Sequence, residues 1–123
     1  MGCRGIRGAI TVEVNTPSAI LRATERLLSE MVRANQVALE DVASVIFTAT
    51  PDLDAVYPAV AARRMGWTRV PLMCMQEMRV PGSLARCLRV LIHWNTERGP
   101  AEIRHVYLEG ARALCPDLSG GDV

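Results

Sequence analysis

Residues 87–95, CLRVLIHWN, form the most apolar extended run in the chain, and their reading decides the fold. A period of two sets Cys87, Arg89, Leu91 and His93 on one face and Leu88, Val90, Ile92 and Trp94 on the other. Neither face is plainly polar, so the strand is expected to be covered on both sides, with Arg89 buried inside it. A guanidinium in that position needs an opposite charge, or a ligand that supplies one.

The run MCMQEM at 73–78 raises the same problem with the opposite sign. It places Glu77 among sulfur-bearing side chains, after VPL and before RVPGS. A carboxylate there either sits on a wet loop or faces a partner. A plain salt bridge between Arg89 and Glu77 would satisfy both groups without any function. Arg7, between Gly5 and Gly8, adds a further cation, and the surplus positive charge then calls for an anion.

Outward from these runs the chain reads as one domain over 1–118, with a flexible tail at 119–123. Cys3 to Val12 is a strand interrupted by Gly5 and Gly8, where something can approach the backbone closely. Thr16 is an N-cap with Pro17 at the first helical position. Ile20, Ala23, Thr24, Leu27, Leu28 and Met31 then recur at helical spacing to about Ala34. ASVIFTAT (43–50) is a buried strand, Ala59 to Met65 a short helix closed by Gly66, and RVPLMC (69–74) a shorter extended piece. RHVYLEGARALCPDLS is a strand remnant leading into a short helix that stops before Pro116. The predicted order β-α-β-α-β-β-(α) is an α+β fold, a mixed sheet with its helices on one side.

Composition excludes several classes. A net charge of +1 leaves no electrostatic footprint for nucleic acid or anionic lipid, and five aromatic residues show no base-stacking pattern. All 14 cations are Arg, so any one Arg carries less functional weight than usual. Cys3, Cys74, Cys87 and Cys115 form no C-x-x-C pair and His93 and His105 stand apart, so neither metal nor other cofactor is expected. No histidine neighbours Cys74 in the sequence, which favours a small buried thiol over a nucleophile. No basic head with a long apolar run opens the chain, and no apolar stretch reaches membrane-spanning length, so a cytoplasmic protein is expected.

Four blocks in order, RGIRGAITVE, TPDLDAVYPA, VPLMCMQEMRVPGSL with CLRVLIHWNT, and IRHVYLEGARALCPDLS, resemble the AroH class of monofunctional chorismate mutases over nearly the whole chain. The resemblance implies a homotrimer, a pseudo α/β-barrel with helices outside and three active sites at subunit interfaces. It implies the Claisen rearrangement of chorismate to prephenate, on the route to phenylalanine and tyrosine. By resemblance, Arg89 meets the ether oxygen of the breaking bond and a substrate carboxylate. Arg7 and Tyr107 hold the side-chain carboxylate, and Glu77 with the Cys74 thiol meets the ring hydroxyl. Arg63 and Tyr57 come from the neighbouring subunit, and Ala59, Leu72, Met73 and Leu114 are pocket walls.

Three positions depart from the family's habit. Tyr57 stands where phenylalanine is common, Val60 where lysine can occur, and Cys115 where arginine is frequent. The last two remove positive charge near the pocket mouth, which bears on substrate affinity rather than on chemistry. Two further readings on the trimeric scaffold that the resemblance implies remain open: a non-catalytic binding or regulatory module for small anions, and an imine or enamine deaminase, since a similar trimeric architecture serves that chemistry.

Overall fold

Thr16 begins the main helix as its residue type suggests. Its side chain accepts a hydrogen bond from the Ala19 amide, and Pro17 opens a helix, α1, that runs Pro17–Asn35. The computed structural model describes residues 1–115. The expected tail at 119–123 and the last residues of the 1–118 domain therefore lie outside the described residues. Five strands accompany α1: β1 Gly2–Thr11, β2 Val42–Ala49, β3 Leu72–Gln76, β4 Cys87–Thr96 and β5 Val106–Leu108. A short helix α2 spans Ala59–Arg64, and Gly66 follows it at a φ of +93°. The final segment, Glu109–Leu114, is a 3-10 turn rather than an α-helix.

The sheet order is β3-β2-β4-β1-β5. Strand β4 pairs antiparallel with both β1 and β2, while β5 adds parallel to β1 and β3 parallel to β2. Ile6, Ile10, Val45, Phe47, Leu88, Val90 and Ile92 line the dry face with Leu27, Leu28 and Met31 of α1, and Ala59 and Ala62 of α2 complete this core. Each large apolar side chain sealed there contributes roughly 1.5–3 kcal/mol relative to exposure.

Coverage of β4 on both faces is met along the whole helix side, but on the other side within this chain only at Cys87. Leu88, Val90, Ile92 and Trp94 are buried beneath the helices, whereas Arg89, Leu91 and His93 on the opposite face are half-buried. Arg89 is accordingly not the sealed cation expected: 27 % of its side chain is exposed. Helices on one side holds for α1 and α2, but the last turn crosses to the other face. There Ala111 packs on Ala9 and Cys87, with Tyr107 and Leu114 alongside.

Gly8 sits where α1 comes closest to the sheet. A Cβ at this position would lie 2.4 Å from Met31 Sδ and 3.1 Å from Leu27 Cδ1, both in the sealed core. Gly8→Ala should therefore destabilise the protein by about 1–3 kcal/mol, the usual cost of overpacking. A lowered urea midpoint at unchanged slope checks this, and an unshifted midpoint would show that Met31 simply swings aside.

Candidate active site

One row of residues crosses four strands on the half-open face: Thr48 of β2, Arg89 of β4, Ala9 of β1 and Tyr107 of β5. At the usual strand spacing this row spans roughly 14 Å. Ala9 is its one small member, and Ala111 packs over it between Arg89 and Tyr107. Arg7, two residues before Ala9 and paired with Leu91, shares the same face. Arg7, Arg89, Tyr107, Glu77 and Leu114 together line a cleft of about 230 Å³.

Glu77 reaches the cleft because its amide donates to the Ala49 carbonyl and extends the β2–β3 pairing one residue past β3. Its Oε2 accepts a hydrogen bond from Thr48 Oγ1 at 2.7 Å and lies 3.4 Å from Arg89 Nε. Each of the two charged side chains keeps 27 % of its surface exposed, so each retains a solvent-facing side. The Arg89–Glu77 contact anticipated from the sequence is thus present, inside a cleft that also holds Arg7. Beside it, burial pushes the Cys87 thiol up and the Arg89 guanidinium pulls it partly back.

The entry of β4 is held by a polar knot. The Cys87 amide donates to Thr50 Oγ1, Thr50 Oγ1 donates to Asp52, and the Arg86 amide donates to Asp52 Oδ2 at 2.9 Å. These contacts support Arg86 in a left-handed conformation, φ +45°, that costs a non-glycine residue energy. Burial raises the Asp52 carboxyl, but the hydrogen bonds from Thr50 and Arg86 outweigh it and hold the group below its usual value. Arg89 follows three residues on, so this knot sets where its side chain emerges.

The remaining residues named from the sequence lie elsewhere in this chain. Cys74 pairs with Phe47 and packs against the dry core, on the opposite face from Glu77, so the pairing of the two side chains is not found here. Cys74 instead lines a second cleft, about 590 Å³, with the exposed Tyr57. Ala59 is buried in the core and Leu72 packs against it, so neither is a cleft wall within this chain. Met73, 57 % exposed, continues the half-open face beyond Ile46, and Arg63 is exposed on α2. Thr48 was missed; its signal was its place in the TAT end of β2, two residues before the turn. Among the described residues no three His, Cys, Asp or Glu side chains group as metal ligands, and no helix is long and apolar enough to cross a membrane.

Two arginines and a tyrosine over a small cleft, with one carboxylate hydrogen-bonded to Thr48, give the cleft a donor set of the kind that suits a small anionic ligand. Residues 3–118 match the family model of chorismate mutase type I. The chain is 54 % identical over 116 residues to the chorismate mutase AroH of Thermus thermophilus, covering 94 % of this chain and 95 % of that protein. It is 49 % identical over 120 residues to the chorismate mutase AroH of Bacillus subtilis strain 168, covering 97 % and 94 %. A solved chorismate mutase from Clostridium thermocellum superposes with a TM-score of 0.89 at 52 % identity, covering 90 % of this chain and 99 % of that one. The chain belongs to the chorismate mutase type I family.

The Thr48 hydroxyl has a consequence that can be measured. Removing the donor to a half-buried carboxylate costs about 1.5 kcal/mol or more, so Thr48→Val should lower kcat/KM for chorismate about tenfold. Thr48→Ser keeps the hydroxyl and should stay near the parent. Equal losses in both variants would mean that the methyl packing, not the hydrogen bond to Glu77, was what mattered.

Proposed function

We propose that the chain catalyses the Claisen rearrangement of chorismate to prephenate, as a cytoplasmic homotrimer with active sites completed across subunit interfaces. The observation that carries this reading is the cleft in which Arg89 faces Glu77 while Arg7 and Tyr107 stand on the same sheet face. Arg89 donates to the ether oxygen, Arg7 with Tyr107 holds the side-chain carboxylate, and Glu77 accepts from the ring hydroxyl. An anion-binding module would gain nothing from a carboxylate 3.4 Å from its central arginine. A deaminase would form no prephenate, so a single product assay separates that reading.

The chemistry is an isomerisation within one molecule. The ether carbon–oxygen bond breaks as the new carbon–carbon bond forms, and no proton, electron or leaving group departs. The protein's work is to select the compact conformer of a flexible dianion and to stabilise charge growing on the ether oxygen. An acceleration of ~10⁶-fold requires about 8 kcal/mol, and one well-placed donor supplies roughly 3–4 kcal/mol. Arg89 therefore needs the orienting clamps around it.

The trimer is supported by what one chain leaves uncovered. Tyr57 is 71 % exposed, Met73 57 % and Met75 46 %, and the sheet face carrying Arg7, Leu91 and His93 stays half-open. In this reading a neighbour's sheet closes that face, three sheets build the barrel-like core, and Tyr57 and Arg63 serve the next chain's cleft. Val60 and Cys115 leave the mouth with less positive charge, which weakens capture of the dianion rather than its conversion.

Arg89→Lys should cut kcat far more than it raises KM, because lysine keeps the charge but loses the planar fork that meets two acceptors. A near-parental kcat would remove Arg89 from the ether oxygen. Shared sites make a second forecast: inactive Arg89→Ala and impaired Arg63→Ala trimers, mixed after reversible dissociation, should regain activity well above the average of the two. Verified subunit exchange without recovery would place the whole site within one chain.

A further inference from the structure

His105 lies outside the cleft lining, yet its ring touches the backbone of the residue that carries the carboxylate clamp. The Arg7 amide donates to His105 Nδ1 at 3.0 Å. The parallel β1–β5 ladder begins one residue later, with Gly8 opposite Val106, so the imidazole supplies the rung that the ladder lacks at Arg7. Two steps on, the same ladder aligns Ala9 with Tyr107. A backbone amide can only donate, so Nδ1 must be the unprotonated nitrogen and the ring neutral, with its proton on Nε2.

The segment before His105 is anchored independently. Asn35, fully buried at the end of α1, donates from Nδ2 to the Arg104 carbonyl at 2.9 Å and accepts the Arg104 amide at 2.8 Å. The ring is therefore delivered to Arg7 from a backbone fixed on both sides. His105 is exposed as a residue, and its Nδ1 is occupied by the Arg7 amide. Partial burial of the ring, and then the Arg7 guanidinium, lower its pKa below the usual 6.5. The charge that acts on the ring is that of Arg7, while Arg104 and Tyr107 flank it on its own segment and the Arg26–Glu109 pair sits past the far end of the short β1–β5 ladder. Helix α1 meets the segment through the uncharged Asn35.

We propose that His105 is a positioning residue for the Arg7 clamp: as a neutral imidazole it fixes the β1 backbone at Arg7, and so the reach of the guanidinium over the cleft. This rests on the reading of Arg7 as the holder of the side-chain carboxylate. When the ring takes a second proton, Nδ1 becomes a donor facing another donor, and a positive charge appears beside Arg7. The Arg7 strand is then pushed off β5. Substrate and transition state share the carboxylate that Arg7 holds, so the loss falls on KM more than on kcat.

Asparagine places Oδ1 where histidine places Nδ1 and does not titrate, which makes it the discriminating substitution. Steady-state kinetics with chorismate between pH 5 and pH 8 should show His105→Ala with KM raised roughly three- to tenfold at pH 7.5 and kcat changed less. His105→Asn should stay within about twofold of the parent at that pH. Below about pH 6 the parent's KM should climb, more steeply than that of His105→Asn, because the sign of a lowered histidine pKa places the loss on the acid side of 6.5. A parental KM in His105→Ala, or the same acid rise in His105→Asn, would overturn the proposal. Arg7→Ala separates the two layers. If it raises KM while His105→Ala does not, the positioning role alone falls, and if it leaves KM unchanged the carboxylate clamp and the positioning role fall together.

Discussion

A guanidinium three residues into the central strand imposes the main condition on this molecule. Strand β4 has neighbours on both edges, so Arg89 can leave the backbone only toward one sheet face or the other. The helix face is sealed by aliphatic side chains, where a charge would cost several kcal/mol even after relaxation. The parity of β4 therefore sends Arg89 to the half-open face, and the polar residues of that face, Thr48, Glu77, Arg7 and Tyr107, are organised around it. Sheet, cleft and charge balance follow from a single choice of side.

That choice divides the structure into a part that holds and a part that works. On the dry face, Gly8 lets Met31 and Leu27 pack directly on the strand, and α1 is seated without a gap. On the working face, polar contacts are short and each has a definite geometry: Thr48 on Glu77, the Arg7 amide on His105, the Arg86 amide on Asp52. Each of these fixes a backbone or a rotamer rather than contributing to burial. Preorganisation of this kind is what a unimolecular rearrangement can use, since orientation and fixed charge are the available sources of acceleration.

Local signals in the chain were legible where they depend on nearest neighbours. Thr16 with Pro17, the periodicity from Ile20 to Met31, the turn at Gly66 and the alternation of Cys87–Asn95 all appear in the structure where the sequence puts them. The attraction between Glu77 and Arg89 was legible too, because two awkward charges of opposite sign suggest one another. Side of the sheet was harder. Cys74 and Glu77 are three residues apart, an odd separation along an extended segment, and so emerge on opposite faces. Thr48 escaped notice, and His105 was read only as a histidine standing apart, because the partners of both are set by a register between distant strands. The second cover on β4 was inferred from hydropathy alone, which registers that a face is apolar without saying which chain covers it.

The last turn has a further consequence for motion. Glu109–Leu114 supplies one wall of the cleft through Leu114, yet its attachments are slight: one fully buried side chain, Ala111, the Gly110 amide on Thr11 Oγ1, and an Arg26–Glu109 pair exposed on both sides. An exposed pair of that kind adds at most about 1 kcal/mol. The strands beneath it are held by continuous ladders and a sealed core, so the turn belongs to the low end of the local-opening spectrum. Amide protons there are expected to exchange sooner than those of β4. The cleft thus has a floor built on paired strands and one wall built on a short turn.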